Sequence, residues 1–396
     1  MQNDPIVIVG IARTPQGNLL GELKDFSAPQ LGAIAIQSAL HRAHVNAEDV
    51  DEVIMGCVLP AGLGQAPARQ SALLAQIQSD VPCTTINKMC GSGMKAVMLA
   101  CNTLMAESHK KIIVAGGMES MTNAPYLIPK ARQGYRLGHS EILDHMMVDG
   151  LEDAYEKRRP MGYFAELCAE KYQISRAEQD DYAIESLQRA QQSIHDHTFE
   201  SEIAPITLKT KQGEKIITND EHPLSVKIEK VKQLAPIFKK DGTVTAANSC
   251  SISDGAAALV LMHLSEAQKR NLKPLAKILD YSEHAKPPEE FTTAPIDAIK
   301  KLMHKLNWTV DQVDLFEINE AFSVVPIAAM RELHIPREKI NVHGGGCGLG
   351  HPIGATGARI IVTLVAALKH HHLKYGIASL CIGGGEATAI ALENME

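Results

Sequence analysis

The feature of this sequence that most constrains its fold is an internal repeat. The segment LHRAHVNAEDVDEVIMG, which begins at Leu40, aligns without gaps with MHKLNWTVDQVDLFEIN, which begins at Met303. Both segments have the pattern of a helix end, a turn and a buried strand. Further along, the strand that ends at Gly117 matches the strand in GIASLCIGGG (376–385) at a similar offset. The repeat predicts two similar halves whose equivalent strand ends lie close together, which is a common place for a site.

Each half alternates strand and helix patterns, which predicts layered α/β structure. The intervening stretch is richer in charge, tyrosine and proline, and a helix is predicted there over 171–193, with Ser175 and Glu178 as a capping box. These patterns divide the chain into an N-terminal α/β half over 1–117 that is completed by about 246–270, an inserted loop domain over 118–245, and a C-terminal α/β half over 271–396.

Charge and hydropathy exclude several classes of protein. The chain of 396 residues has a net charge of −7, which argues against nucleic acid as a partner. The longest clear apolar run, 360–368, is too short to cross a bilayer, and the N-terminus resembles neither a signal peptide nor a transit peptide. Eight scattered cysteines form no C-x-x-C pair. We therefore expect a cytoplasmic enzyme with free thiols and no membrane partner.

Cys90 in NKMCGSGMKAV is the first candidate for chemistry. It follows a short apolar stretch and precedes a helix, and Gly91 and Gly93 allow a tight turn. A helix N-terminus favours a thiolate, so the segment predicts a nucleophile elbow that carries cysteine. The same residue could also be a small buried hydrophobe.

The same segment offers a second interpretation. Gly91, Gly93 and Ala96 satisfy a weak G-x-G-x-x-A dinucleotide fingerprint. That fingerprint needs an acidic residue at the end of the next strand, about 20 residues further on. The next strand instead ends at Gly117, and Glu119 lies beyond it. The dinucleotide interpretation is therefore disfavoured.

A second motif, GGGCGLGHPIGATG (344–357), places one histidine, His351, in a glycine-rich segment. His351 could be a functional group or a buried, hydrogen-bonded histidine. His343, Cys347 and His351 are spaced four apart, which would suit a metal on a helix. We expect no metal site there, because glycine-rich sequence is unfavourable for a helix.

Two further motifs follow strands of the C-terminal half. SLCIGGGEA places Cys381 at a strand end before three glycines, whose N–H groups could face an oxyanion. FEINEAFS places Asn319 and Glu320 at the end of the repeated strand, where they could also be a turn residue and a helix cap. The four motifs together supply two thiols, a histidine, an amide and glycine-rich turns.

These motifs, with VAGGMESMTNAPY (114–126) and GTVTAANSCSISDGAAAL (242–259), resemble the thiolase family over essentially the whole chain. The resemblance implies two duplicated α/β halves in a five-layer α-β-α-β-α arrangement with an inserted loop domain, and a homotetramer. It also implies an acyltransferase, most like an acetyl-CoA C-acetyltransferase. The substrates would be acetyl-CoA, acetoacetyl-CoA and CoA, with no separate cofactor.

The resemblance also implies roles for matching residues. Cys90 would be acylated, His351 would take its proton, and Cys381 would remove the α-proton of the second acetyl-CoA. Asn319 would hold a water that, with His351, stabilises one oxyanion, while the N–H groups of Cys90 and Gly383 would stabilise the other. The positions that match substrate and CoA contacts are Leu151, Met161, Cys250, Phe291, Ala321 and Phe322.

Three positions differ from the family's pattern. Pro160 stands where many members have histidine, and Cys250 where a serine hydroxyl usually meets the pantetheine. Leu224 stands where an arginine often packs on the adenine, with Lys227 or Lys230 as possible substitutes.

Three alternatives remain: a broad-chain 3-ketoacyl-CoA thiolase of β-oxidation, a related condensing enzyme, and a non-enzymatic subunit. Cys381 favours a thiolase over a condensing enzyme with His or Glu there, and the four intact motifs favour an enzyme.

Overall fold

The structure is a computed structural model that describes residues 4–211 and 213–396. Its strands are β1 (Ile6–Arg13), β2 (Gly17–Asn18), β3 (Glu52–Gly56), β4 (Cys83–Ile86), β5 (Ile112–Ser120), β6 (Tyr126–Leu127), β7 (Leu143–Asp144), β8 (Ile206–Thr210), β9 (Gly213–Ile217), β10 (Ser253–His263), β11 (Ala276–Ala285), β12 (Leu315–Ile318), β13 (Tyr375–Ile382) and β14 (Glu386–Asn394). Its α-helices are α1 (Ala28–Ala43), α2 (Pro67–Leu74), α3 (Ser92–Ala106), α4 (Met161–Tyr172), α5 (Arg176–His195), α6 (Glu221–Ser225), α7 (Leu264–Lys269), α8 (Ala294–Leu306), α9 (Val324–Leu333), α10 (Gly346–Leu349) and α11 (Ile353–His370).

The main strands form one continuous path, in the order β12-β13-β14-β11-β1-β10-β5-β3-β4, and β2 pairs with β10. The two halves meet where β1 and β11 share a short antiparallel contact. Outward from that contact, each half begins with antiparallel strands and ends with parallel ones. These are β5, β3 and β4 in the N-terminal half and β13 and β12 in the C-terminal half. The strand order is therefore duplicated about the β1–β11 contact.

Helices cover the sheet in layers. The helices α3 and α11 pack together, and their apolar residues form one core with strands of both halves. On the outer side of the N-terminal strands lie α1 and α2, and α8 and α9 cover the C-terminal strands. The predicted fold, two α/β halves in five layers, is confirmed.

The repeat is visible in side-chain detail. The helices α1 and α8 both end at a residue in the left-handed conformation, His44 and Asn307. Asp51 then accepts hydrogen bonds from two backbone N–H groups at the start of β5, and Asp314 accepts the same pair of bonds at the start of β13. In both halves, an aspartate that follows the helix therefore binds the backbone at the start of the neighbouring strand.

Three local predictions are corrected. The predicted helix over 171–193 is divided, because Gln173 adopts a left-handed conformation (φ 51°) that ends α4. Ser175 then caps α5 by accepting from Glu178 N, while the Glu178 carboxylate binds Arg331 instead of completing a capping box. The glycine-rich segment before His351 does form a helical turn, Gly346–Leu349, because its backbone bonds close it locally.

The proposed division into three units stays a prediction. Among the described residues, only α11 is long and apolar enough to cross a membrane, and 83% of it is buried inside the protein. That burial identifies α11 as the central helix of the core.

Candidate active site

Cys90 lies in a sharp turn between β4 and α3. The preceding residue, Met89, adopts a left-handed conformation (φ 46°) that is unfavourable for its side chain. Ser92 holds the turn, because its hydroxyl donates to Met89 O at 2.6 Å and accepts from Lys88 N at 2.8 Å. The predicted strand–turn–helix elbow is therefore present, with Cys90 just outside the first turn of α3.

The ionisation of Cys90 differs from what the sequence predicts. Burial raises the pKa of the Cys90 thiol to about 11, although the backbone N–H groups of Gly383 and of Cys90 itself lower it. The backbone N–H groups favour the thiolate, as the sequence predicts, but desolvation outweighs them. A base is needed to ionise Cys90 near neutral pH.

The glycine-rich loop after β13 lies against the same turn. A side chain on Gly91 would begin 2.4 Å from Ile382 Cδ1, so the two segments are in direct contact. Cys381, at the end of β13, is buried. Burial raises the pKa of Cys381, and the neighbouring Cys90 and Cys250 thiols raise it further. The structure therefore brings Cys90, Cys381 and Gly383 together.

His351 is buried directly before α11. Its Nδ1 lies 2.7 Å from the Thr356 hydroxyl, and that hydroxyl donates its own proton to Pro352 O at 2.9 Å. Thr356 must therefore accept from Nδ1–H, which leaves Nε2 with a free lone pair. Within residues 4–211 and 213–396, Nε2 has no hydrogen-bond partner. Burial lowers the pKa of His351 to about 3, and Arg359 lowers it further, so the ring is neutral at physiological pH.

Asn319 follows β12, and its backbone N–H donates to Ser379 O on β13. Both polar atoms of its side-chain amide are buried without partners in the described part of the chain. Such atoms in a native core are usually bonded to water or ligand. The carboxylate of the adjacent Glu320 accepts four hydrogen bonds. The donors are the side chains of Tyr182, Ser186 and Asn341 and the backbone N–H of Cys347. The Glu320 interpretation as a helix cap is therefore corrected.

A cavity of about 590 Å³ reaches His351 and Cys250. Four of the predicted binding residues line it, and so does Pro160. Phe291 and Ala321 do not line it. Phe291 packs behind Phe322 (ring centroids 6.5 Å apart), and Ala321 O accepts from Cys250 N. The predicted residues on the cavity wall are Leu151, Met161, Cys250 and Phe322.

No group of three histidine, cysteine or acidic side chains in the described ranges could hold a metal. His343 and His351 point to separate partners, since His343 Nδ1 lies 3.0 Å from Ser193 Oγ. The loop and the turn Gly346–Leu349 between them direct the two rings apart, so their regular spacing in the sequence does not bring them together.

Sequence reasoning missed two residues that support this site. Thr356, in GATGAR, fixes the tautomer of His351. Glu119, in GGMES, accepts from the backbone of a loop 60 residues earlier and of α11, 235 residues later. Both residues lie in the motifs quoted above, but only the folded chain shows which atoms they bind.

Comparison with known proteins agrees with this geometry. The chain matches the models "Thiolase, N-terminal domain" over residues 6–265 and "Thiolase, C-terminal domain" over residues 272–394. It is 46% identical to an acetyl-CoA acetyltransferase of Schizosaccharomyces pombe, with 100% of both chains covered. It is 49% identical to acetyl-CoA acetyltransferase 1 of Arabidopsis thaliana, over 100% of this chain and 95% of the relative. A crystal structure of a thiolase from Ascaris suum in complex with coenzyme A matches with a TM-score of 0.92 and 39% identity, covering 98% of this chain and 100% of that one.

The matched family models and the relatives identify the chain as an acyltransferase. The chain belongs to the thiolase family, whose two models together span nearly all of it.

Proposed function

We propose that the protein is an acetyl-CoA C-acetyltransferase, which joins two acetyl-CoA molecules to give acetoacetyl-CoA and CoA, or cleaves acetoacetyl-CoA in reverse. The observation that carries this proposal is the convergence of two thiols, Cys90 and Cys381, at one glycine-rich loop. The names of relatives that are 46% and 49% identical over the full length support it. A broad-chain activity has no comparable support.

In the first half-reaction, the free Nε2 of His351 accepts the proton of Cys90. The thiolate then attacks the carbonyl carbon of acetyl-CoA, and the C–S bond to CoA breaks. His351 returns the proton to the departing CoA sulfur. The N–H groups of Cys90 and Gly383 stabilise the oxyanion of the acetylated cysteine, consistent with their effect on the Cys90 pKa.

In the second half-reaction, the Cys381 thiolate removes an α-proton from a second acetyl-CoA. The carbanion attacks acetyl-Cys90, a C–C bond forms, and Cys90 departs as a thiolate that takes up the proton from Cys381, which returns both thiols to their starting state. A water on the unpartnered amide of Asn319 stabilises the second thioester's enolate oxygen, and His351 contributes to this stabilisation when its Nε2 carries a proton. Thiols, imidazole and amides supply every proton transfer and oxyanion contact, so we propose that only CoA thioesters bind, with no separate cofactor.

The cavity that reaches His351 is the proposed pantetheine channel. Its wall is largely apolar, and its lining also includes Asn18, His222 and Ile237. Leu224 is exposed nearby in the chain, as are Lys227 and Lys230. We propose that these lysines bind the phosphates of CoA in place of the arginine that Leu224 replaces.

We also propose a cytoplasmic homotetramer that acts in short-chain and fatty acid metabolism. The arm that contains β6 and β7 exposes several large apolar side chains, which a second copy of the chain could cover. They are Tyr126, Ile128, Leu137 and Ile142. One relative, from Gibberella zeae, is described as cytosolic. Size-exclusion chromatography with light scattering checks the tetramer.

Acetylation tests the proposed function. The protein is incubated with acetyl-CoA, quenched in acid to preserve the thioester, and analysed by intact mass and peptide mapping. We expect one added acetyl group, located on Cys90. The Cys90→Ala variant should gain none, whereas the control Cys101→Ala, which removes a buried thiol from α3, should be acetylated normally. Acetylation confined to another cysteine, or none at all, would contradict the proposal.

A further inference from the structure

Glu119, on β5, is a buried carboxylate that joins two separate segments beside Cys90. Its Oε2 accepts from Val58 N at 2.9 Å and from Gly354 N at 2.9 Å. Its Oε1 accepts from Leu59 N at 3.1 Å, and the Cys57 thiol lies 3.6 Å away. Since all four groups are donors, the arrangement fits an ionised carboxylate, which only accepts.

The two segments that Glu119 joins both pack against Cys90. Val58 and Leu59 pack with Ile353 in a small apolar cluster, and Cys90 packs against that cluster. Gly354 N belongs to the first turn of α11, so the carboxylate also lies at the positive end of this helix. His351 precedes that turn by two residues. Movement of the turn would therefore move His351 relative to Cys90.

Burial of the Glu119 carboxylate is unfavourable for the stability of the fold. Glu119 is fully buried, and no lysine, arginine or histidine in the described ranges forms an ion pair with it. Burial raises the pKa of Glu119 to about 7, although its hydrogen bonds to Val58, Leu59 and Gly354 lower it. The folded state therefore binds a proton that the unfolded state has released between about pH 4.5 and 7, so the charge destabilises the fold as the pH rises. A buried carboxyl group with a pKa shifted this far, beside a nucleophile, is typical of a functional site.

We propose that Glu119 is a positioning residue for the acyl-transfer step, which holds His351 and the Val58–Leu59 turn in fixed relation to Cys90. The inference rests on the proposed function. Its second consequence is electrostatic, because the negative charge of Glu119 opposes ionisation of Cys90 and raises the pKa of that thiol. Burial is the main cause of the raised pKa of Cys90, and the charge of Glu119 adds to it.

Two variants separate these effects. Glu119→Gln keeps the shape but removes the charge and places an NH₂ group against N–H donors. Glu119→Asp keeps the charge but shortens the reach between the two segments. The matched control is Glu166→Gln, which alters another buried carboxylate that accepts from backbone N–H groups, at Thr243 and Val244.

Both Glu119 variants should lower kcat for thiolysis of acetoacetyl-CoA about tenfold or more, with KM for CoA within about twofold, because reacting groups are misplaced while binding is kept. Each kcat is divided by the folded fraction, taken from circular dichroism and the thermal transition. At pH 8, iodoacetamide should modify Cys90 about threefold faster in Glu119→Gln, but at the wild-type rate in Glu119→Asp and Glu166→Gln.

A wild-type kcat in Glu119→Asp would overturn the proposal, and this variant decides the matter even if Glu119→Gln does not fold. An equal loss of kcat in Glu166→Gln would also overturn it, since the effect would then be one of general stability. Failure of the proposed function is distinguishable, because wild-type Cys90 would then gain no acetyl group, while its alkylation would remain measurable.

Discussion

The Thr356 hydroxyl lies 2.7 Å from His351 Nδ1 and donates its own proton to Pro352 O, which makes Thr356 an acceptor for the ring. This one contact decides that the free lone pair of His351 is on Nε2. The proposed base therefore depends on a side chain within the first turns of α11.

Replacing Thr356 by valine should lower kcat for thiolysis about tenfold or more. Valine has a similar shape but cannot accept from Nδ1–H, and an unpaired buried donor costs about 1–3 kcal/mol. The ring would then favour the other tautomer or a different orientation. Steady-state kinetics measure the loss. Thr356→Ser, which keeps the hydroxyl, should retain most of the activity, and an active Thr356→Val would show that this contact does not orient the base.

The two thiols should be separable by mutation. Cys381→Ser should still acquire an acetyl group on Cys90, because acylation uses His351, but it should lose condensation by at least about a hundredfold. A serine hydroxyl is a far weaker acid than a thiol and cannot readily supply the base. Intact mass and acetoacetyl-CoA formation are measured on the same sample. Near-normal condensation in Cys381→Ser would remove its assigned role, and Cys101→Ser serves as the control for a buried thiol outside the site.

The buried His343 should make the fold sensitive to acid. Burial lowers the pKa of His343 to about 3, and the neighbouring His371, His370 and Arg189 lower it further. A histidine in the unfolded chain titrates near pH 6.5. Between about pH 6.5 and 3, His343 therefore binds a proton only in the unfolded state, so the stability of the fold decreases as the pH drops through this range.

Between pH 7 and pH 5 this effect amounts to about 2 kcal/mol of unfolding free energy. His343→Asn, which can keep a hydrogen bond to Ser193, should lose that much less stability over the same interval. Urea unfolding at both pH values measures the difference. An identical pH dependence in the variant and the wild type would show that His343 does not carry the effect.

The duplicated fold could be predicted from the sequence because each copy of the repeat is a short segment whose pattern can be read by itself. Asp51 and Asp314 occupy equivalent places in two short segments, and each binds the start of the neighbouring strand. The break between α4 and α5 could not be predicted, because the residue with the left-handed conformation is Gln173 and not a glycine, which would have indicated a helix end.

The candidate site was predicted only in part. The motifs identified the residues that carry chemistry, because thiols, glycines and a histidine are unusual in these patterns. The chain order could not show that Glu119 binds both Leu59 and Gly354, since those contacts exist only after folding. Nor could it show that burial outweighs the helix N-terminus at Cys90, because the balance depends on how much water the fold excludes.

Acyl-chain length is the last property that the structure lets us predict. Met161 lines the cavity, and its Cε lies 3.5 Å from the point where a side chain on Gly383 would begin. Behind Phe322, the packed ring of Phe291 leaves that wall little freedom to move. Overfilling a packed site costs about 1–3 kcal/mol, or roughly one to two decades in rate. The wild type should therefore cleave acetoacetyl-CoA faster than 3-ketohexanoyl-CoA or longer thioesters.

Shortening Met161 to alanine should raise the ratio of 3-ketohexanoyl-CoA to acetoacetyl-CoA cleavage about tenfold, because it opens space beside Gly383. The matched control is Met147→Ala, which removes the same side chain from another part of the cavity wall and should leave the ratio unchanged. The measurement is kcat/KM for a series of 3-ketoacyl-CoAs of increasing length. A wild-type rate that rises with chain length would favour a broad 3-ketoacyl-CoA thiolase instead, while the roles of Cys90, His351 and Cys381 would be unaffected.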